Sequence, residues 1–154
     1  MSQLTWPESE RPFDPERVLA TIKKNWEQEA PYWNHLGIKI EEVRPAYARL
    51  SMGDRPELQN QGNTGLHGGS LASLIDIAVT AVLWTVYDIE FDLRTHTTIE
   101  LNVSYLAPGI GTMTAEARGL RKGGSIFVGD VDVRDPMGTL VATGRATYRV
   151  WRNK

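Results

Sequence analysis

One carboxylate stands in the most apolar stretch of the chain. Asp76 lies nine residues after His67, and it is the only charged residue in the segment "HGGSLASLIDIAVTAVLW". Burying a carboxylate costs several kcal/mol unless it has partners, and it makes the group a better base. A plain alternative is that Asp76 bonds a hydroxyl one turn away, on Ser73 or Thr80. Asp76 is therefore a candidate catalytic base or nucleophile, and the alternative is a purely structural carboxylate.

The sequence His67-Gly68-Gly69 stands where a helix containing Asp76 should begin. The first turn of a helix offers free backbone N–H groups and a partial positive charge, and glycines let a ligand approach them closely. Such N–H groups can stabilise the negative charge that develops on a carbonyl oxygen. The alternative is that the glycines only permit tight packing and that His67 caps a loop. With Asp76, the first interpretation predicts hydrolysis of an ester or thioester.

The spacing of the two features limits how they can act together. Asp76 lies eight residues beyond Gly68, which is ~12 Å along one helix. One carbonyl group cannot touch both, so a shared site needs the two halves to come from different subunits. The pattern predicts a homodimer with two composite sites, and a dimer of such dimers is compatible with it.

The elements around these residues indicate one α+β domain. We expect residues 1–13 to form a flexible arm and residues 14–154 a single domain. Asp14-Pro15 is typical of a helix start. A second helix, roughly His67 to Tyr87, is apolar nearly all round and must be enclosed on most sides. The remaining segments alternate like strands without a βαβ rhythm, which predicts an antiparallel sheet wrapped around the long helix.

Composition excludes several kinds of function. The net charge is −2 without a basic block, so neither nucleic acid nor an anionic membrane is an expected partner. The chain has no cysteine, and its three histidines lack metal-ligand spacing, so we expect no metal site and no thiol nucleophile. The N-terminus has no apolar signal segment, which predicts a cytoplasmic protein. The apolar run from Leu71 to Val86 is short for a membrane span and carries Asp76, so we interpret it as a buried helix.

A basic pair precedes a predicted hairpin tip. It consists of Arg121 and Lys122, followed by Gly123, Gly124 and Ser125. The pair of glycines favours a tight turn between two strands. This tip is either a solvated turn or a place where the basic side chains meet the phosphates of a coenzyme.

The constellation resembles the hotdog-fold acyl-CoA thioesterases of the phenylacetate-pathway (PaaI-like) type. The resemblance covers roughly Ile38 to Val150 and implies a hotdog fold with an extra N-terminal helix. The matching residues are His67-Gly68-Gly69, Leu74-Ile75-Asp76 with Ala78, and the strand "IELNVSYLAP" at Ile99–Pro108.

The resemblance also implies roles for individual residues. Asp76 is the base or nucleophile, and the N–H of Gly68 polarises the thioester carbonyl. His67 helps to position that carbonyl, and Thr98 matches a hydroxyl that helps to hold the water. The family usually has Asn six residues before the His, where this chain has Gln61.

For the substrate, the resemblance implies coenzyme A as part of an acyl-CoA and no separate cofactor. The CoA moiety would run along the dimer surface near Arg121–Ser125. Trp84, Tyr87 and the N-terminal helix are candidates for the acyl pocket or are simply core. Two other functions remain open, a hydratase or dehydratase on the same fold and a catalytically silent acyl-CoA binding protein.

Overall fold

The computed structural model describes residues 14–90 and 92–153. The predicted N-terminal arm, residues 1–13, lies outside these residues. The helices are α1 (Pro15–Glu29), α2 (Pro31–Leu36) and α3 (Gly68–Val86), and the strands are β1 (Ile38–Arg44), β2 (Tyr47–Met52), β3 (Leu93–Tyr105), β4 (Met113–Lys122), β5 (Ile126–Arg134) and β6 (Leu140–Arg152).

Helix α1 begins where its sequence predicts. The Asp14 carboxylate accepts hydrogen bonds from the backbone N–H groups of Glu16 and Arg17 at 3.0 and 3.1 Å, and Pro15 occupies the first helical position. Both features satisfy or remove N–H groups that a helix start leaves unpaired. Arg17 then joins the helix to the loop after α3, through an ion pair with Asp88 at 3.0 Å.

The sequence predicts the end of the first helix near Ala30-Pro31 but not the second helix, α2, that follows it. The backbone leaves the helical region at Ala30, with φ −121° and ψ 67°, and Pro31 begins a second short helix. Gly37 ends that helix in the left-handed region at φ 65°. The turn at Ala30 changes the direction of the chain and carries Trp33 against α3, where its ring centroid lies 5.4 Å from that of Trp84.

The six strands form one antiparallel sheet in the order β1-β2-β4-β5-β6-β3. The inward side chains of β4, Met113, Ala115 and Ala117, are fully buried, as their alternation predicts. Helix α3 packs against the concave side of the sheet and contacts all six strands. This arrangement confirms the α+β class and the hotdog architecture, an antiparallel sheet wrapped around one long helix.

Helix α3 is the core of the domain. Its buried residues cover most of its surface, from Leu71 to Val86, as its all-round apolar sequence predicts. By length and composition alone this helix could cross a membrane, since its mean hydropathy is 1.7. Most of it is enclosed by the rest of the domain, which is the position of a core helix.

Two glycines bring the sheet close to α3. A Cβ atom at Gly144 in β6 would lie 2.8 Å from Cγ2 of Ile75, and one at Gly129 in β5 would lie 3.0 Å from Cγ1 of Val79. Both distances are below ordinary van der Waals contact, so no larger residue fits without movement. The glycines therefore set the spacing between helix and sheet beside Asp76.

Strand β3 lies at one edge of the sheet, next to β6. It begins at Leu93, six residues before the segment Ile99–Pro108 that carries the family resemblance, and its register shifts between Thr98 and Glu100. Within the described residues its outer backbone has no strand partner. Apolar side chains on this strand remain exposed, by 56% at Ile99 and 53% at Tyr105. A long, apolar, unpaired edge is typical of a surface that another chain covers.

Candidate active site

The Asp76 carboxylate is held by one of its two oxygens. The Thr98 hydroxyl donates to Oδ1 at 2.9 Å, and the Tyr148 hydroxyl donates to the same Oδ1 at 2.5 Å. Within residues 14–90 and 92–153, Oδ2 has no hydrogen-bond partner. Asp76 is half-buried. The site thus fixes one oxygen against the sheet and leaves the other available to a ligand or to water.

The two hydroxyls converge because of the strand register. Thr98 in β3 and Tyr148 in β6 are directly opposed Cα partners, so their side chains project from the same face of the sheet. That face is the one against α3. Thr98 therefore lies at the site as expected, but its hydroxyl bonds Asp76 itself, and its role in holding a water stays a prediction.

Tyr148 was not predicted as a site residue. It is 2% exposed, its hydroxyl also accepts from Thr80 Oγ1 at 2.8 Å, and it lies 2.9 Å from the backbone oxygen of Asp76. Burial, followed by the Asp76 carboxylate, raises the pKa of the Tyr148 phenol above its ordinary value. The phenol therefore stays protonated and acts as a donor. The sequence contained one signal for Tyr148: it stands at an inward position of β6, and a buried tyrosine hydroxyl needs a hydrogen-bond partner.

The plain alternative for Asp76 named the wrong partners. Ser73 donates to the backbone oxygen of Gly69 at 2.9 Å, and the Thr80 hydroxyl is bonded to Tyr148. Neither side chain reaches the Asp76 carboxylate. Its partners come from the sheet, because the carboxylate leaves the helix on the side that β3 and β6 cover.

His67 caps the N-terminus of α3. Its Nδ1 accepts a hydrogen bond from the Gly69 N–H at 2.9 Å. In the described part of the chain, the N–H of Gly68 has no acceptor. Tyr105 covers this end of the helix, since its hydroxyl donates to the Gly68 backbone oxygen at 2.9 Å and a Cβ atom at Gly68 would lie 3.2 Å from its ring. The cap thus leaves one donor, the Gly68 N–H, unpaired at the expected position.

Two amide side chains in the loop before His67, those of Asn60 and Gln61, differ in their hydrogen bonds. Gln61 is exposed in a turn, and nothing in the described residues is hydrogen-bonded to its side chain. The side chain of the neighbouring Asn60 donates to the Leu66 backbone oxygen at 3.2 Å, so it supports the backbone that leads into α3.

Gly68 and Asp76 lie in the same helix, as predicted. Their separation along the axis is therefore the ~12 Å of eight helical residues. Within one chain, the free N–H and the free carboxylate oxygen are too far apart to contact one carbonyl group.

His96 is a second residue that sequence reasoning did not connect to Asp76. It lies two residues before Thr98 on β3, and its ring centroid is 5.7 Å from those of both Tyr148 and Trp84. Burial lowers the pKa of His96, and the Asp76 carboxylate only partly opposes this. The neutral imidazole thus forms part of the wall beside the carboxylate.

The basic hairpin forms as predicted, with Gly123-Gly124-Ser125 joining β4 to β5. Arg121 is exposed, and the described residues give its guanidinium no partner. Lys122 is engaged, since its ammonium lies 4.9 Å from the ring centroid of Tyr87 and burial lowers its pKa. The Tyr87 hydroxyl donates to the Gly123 backbone oxygen at 2.6 Å, so Tyr87 is a core residue that supports the hairpin.

The described residues contain no group of three or more His, Asp or Glu side chains that could hold a metal ion. The chemistry available from the arrangement itself is that of one half-buried carboxylate oxygen and one free helix N–H.

The amino-acid sequence is similar to a known protein family and to individual known proteins. A family model described as "Domain of unknown function (DUF4442)" matches residues 19–150. The chain is similar to a protein of Salmonella typhimurium named medium/long-chain acyl-CoA thioesterase YigI, with 30% identity over 147 residues, 88% of this chain and 95% of that protein.

Solved structures share the fold. The Escherichia coli PaaI protein from the phenylacetic acid degradation operon superposes with a TM-score of 0.77 at 23% identity, covering 89% of this chain and 95% of that one. A thioesterase family protein from Silicibacter pomeroyi gives a TM-score of 0.78 at 20% identity, covering 88% and 99%. These likenesses agree with the hotdog topology described above.

Proposed function

The chain belongs to the DUF4442 family, and from that premise and the geometry at Asp76 we propose that it is an acyl-CoA thioesterase that hydrolyses the thioester to the free acid and CoA. The relative YigI is named for medium- and long-chain acyl-CoA. The observation that carries the proposal is the asymmetric carboxylate: two hydroxyls fix Oδ1, and no described residue is hydrogen-bonded to Oδ2.

In the proposed reaction, Oδ2 of Asp76 acts on the thioester. As a base it takes a proton from water, whose oxygen attacks the carbonyl carbon. As a nucleophile it attacks that carbon itself, and water then cleaves the resulting anhydride. In both routes the carbon–sulfur bond breaks. In the first route Asp76 passes the proton that it took from water to the CoA sulfur, and in the second the CoA thiolate leaves and takes up a proton that is released when water cleaves the anhydride. Thr98 and Tyr148 position the carboxylate, because both hold the oxygen that does not react.

The Gly68 N–H is the proposed donor to the carbonyl oxygen. A donor already aimed at that oxygen stabilises the charge that develops in the transition state, without reorganisation. Capping by His67 supports this role, since it satisfies the next N–H and holds the first turn. Gln61, which lies on the loop before this helix, is the proposed amide that helps to orient substrate or water there.

We propose that the working site is composite, with Asp76 of one chain and Gly68 of a second chain. Two observations support it. The two groups are ~12 Å apart within one chain, and the outer edge of the apolar strand β3, which carries Thr98, has no strand partner among the described residues. Antiparallel pairing of two such edges would give a closed homodimer with two equivalent sites.

Coenzyme A is proposed to lie near the hairpin, with its phosphates at Arg121. The guanidinium is exposed and has no partner within residues 14–90 and 92–153, which supports this assignment. Lys122 is the secondary candidate, because its ammonium already contacts Tyr87. The backbone of Gly123-Gly124-Ser125 shapes the tip. A cytoplasmic location remains our prediction.

The test is release of free CoA thiol from a panel of acyl-CoA substrates by the wild-type protein and by Asp76→Asn. We expect turnover by the wild type and a loss of about 100-fold or more in the variant, the usual scale for an acid–base group. Equal turnover by a pure, folded Asp76→Asn protein would remove Asp76 from the mechanism. Tight binding of acyl-CoA without turnover by the wild type would favour a silent binding protein.

A further inference from the structure

A cavity of about 400 Å³ lies between the N-terminal helices, the second half of α3 and the start of β3. Its volume is within the range of small-molecule sites, roughly 300–1,000 Å³. The sequence analysis named Trp84, Tyr87 and the N-terminal helix as candidates for an acyl pocket. Trp84 and Asn25 of α1 line this cavity, whereas Tyr87 is not among its lining residues.

The cavity is lined by five apolar residues, two of them tryptophans, and by four polar ones, Asn25, Arg94, Thr95 and His96. Trp33 from α2 and Trp84 from α3 meet at 5.4 Å between ring centroids with a tilt of 47°, which leaves an open wedge rather than a closed stack. Ile89 and Leu93 add aliphatic surface, and Ala30 leaves room at the α1–α2 turn. The apolar part of this lining favours an apolar segment of a ligand.

The cavity adjoins the Asp76 carboxylate. His96 lines the cavity, and its ring lies 5.7 Å from the ring of Tyr148, whose hydroxyl bonds Oδ1 of Asp76. His96 and Thr98 are two residues apart on β3, on one face and ~7 Å from each other. A carbonyl group held at Oδ2 of Asp76 thus has the cavity within reach of a short acyl chain.

We propose that this cavity binds the acyl group of the substrate, an apolar chain of medium length, and that Ala30 and Trp33 limit its length. The inference rests on the proposed thioesterase function and adds the residues that select the substrate. The N-terminal helices form the far wall from Asp76. That wall is fixed in place, because α1 is capped by Asp14 and tied by Arg17 to Asp88.

The test is a chain-length series of saturated acyl-CoA substrates: acetyl, hexanoyl, decanoyl and palmitoyl. Ala30→Phe fills the far wall, so we expect acetyl-CoA turnover to stay within about two-fold and kcat/KM for decanoyl-CoA to fall about ten-fold or more, since each excluded methylene matters on that scale. Lys24→Phe is the matched control, because it adds the same ring to an exposed position of α1. A loss that is equal for all chain lengths in Ala30→Phe would overturn the proposal.

A second variant tests the opposite direction. Trp33→Ala enlarges the cavity and should move the preferred acyl chain to a greater length. A preference unchanged in a folded Trp33→Ala protein would also count against the assignment.

Direct binding separates this inference from the proposed reaction. S-decyl-CoA is a thioether with no carbonyl to hydrolyse, and its affinity can be measured by calorimetry. Weaker binding to Ala30→Phe than to Lys24→Phe supports the cavity even if the wild type hydrolyses no acyl-CoA, which would overturn only the reaction. Equal binding to both variants overturns the cavity assignment even if the wild type hydrolyses the whole series.

Discussion

Thr98 and Tyr148 oppose each other across the β3–β6 pair and donate to the same carboxylate oxygen of Asp76, at 2.9 and 2.5 Å. The sheet therefore selects which oxygen of the carboxylate is available. A free carboxylate would rotate between two equivalent oxygens, whereas this one presents Oδ2 away from both hydroxyls.

Tyr148→Phe should lower kcat by about ten-fold with little change in KM, because a hydrogen bond to a charged group is worth roughly 1.5–3 kcal/mol and positions only the reacting group. Thr80→Val serves as the control, since it removes a bond to the Tyr148 hydroxyl without touching the carboxylate. The measurement is steady-state kinetics together with thermal unfolding of each protein. An unchanged kcat in Tyr148→Phe would mean that Thr98 alone holds the carboxylate.

Gly68→Pro removes one N–H and should lower kcat by about 100-fold, the usual effect of losing an oxyanion donor. Gly68 is the first residue of α3, where proline is tolerated, and His67 already has the extended conformation that precedes proline, with φ −64° and ψ 139°. Gly68→Ala is the matched control, because it also pushes a Cβ atom toward Tyr105 but keeps the N–H. Equal kcat for the two variants would assign the oxyanion site elsewhere.

Mixing the two inactive proteins tests the composite site. After subunit exchange, a heterodimer of Asp76→Asn and Gly68→Pro chains should contain one site with both defects and one intact site. Its activity should return to about half of the wild-type value, since a symmetric dimer has two equivalent sites. Exchange, demonstrated with tagged chains, that restores no activity would place both groups of the site in one chain.

Arg121→Ala should raise KM for acyl-CoA while kcat stays near its wild-type value, because a contact with phosphates far from the carbonyl binds ground and transition states equally. The effect should shrink as ionic strength rises. Lys122→Ala is the comparison, and we expect it to lower stability, because its side chain packs on Tyr87. A KM that is unaffected by Arg121→Ala at low salt would show that the hairpin is only a solvated turn and does not bind the phosphates.

His96 should make the folded state less stable below neutral pH. Burial lowers its pKa from the ordinary value of 6.5, so the unfolded chain binds the proton first as the pH falls. The free energy of unfolding should therefore decrease from about pH 6.5 downward, until the folded protein is protonated too.

Urea unfolding of the wild type and of His96→Gln between neutral and mildly acidic pH measures this contribution. The variant should show a smaller decrease, while His35→Gln, at an exposed position, should follow the wild type. Parallel curves for the wild type and His96→Gln would show that His96 does not contribute.

The sequence predicted the fold and part of the site for identifiable reasons. Because α3 is apolar all round, the sequence predicted that the rest of the domain encloses it. The helix also begins at His67-Gly68-Gly69, as the sequence predicted. The family resemblance named Thr98 as a site residue that helps to hold the water, and the structure places its hydroxyl on Oδ1 of Asp76.

The rest depends on contacts between distant segments. Tyr148 reaches Asp76 only through the register of β6 with β3, and a single sequence does not specify which residues of two strands are opposed. The end of α1 at Ala30 is signalled by Pro31, because the residue before proline disfavours the helical region, whereas the six residues of α2 are too few to show a helical pattern in the sequence. The exposed side chains of β3 alternate like those of a core strand, and only the sheet order shows that they lie at an edge.

The close approach of Gly144 to Ile75 sets the distance between the Asp76 carboxylate and its hydroxyl partners. Ile75 precedes Asp76, and Gly144 lies on the strand that carries Tyr148, so the gap between these two backbones determines how far apart the carboxylate and its hydroxyls stand. A single methyl group at residue 144 would press on Ile75 of the helix and on the backbone oxygen of Asn102 in β3, so it would displace the two elements that carry Asp76 and Thr98. Reactivity is then adjustable, in evolution or by design, without altering any group that meets the substrate.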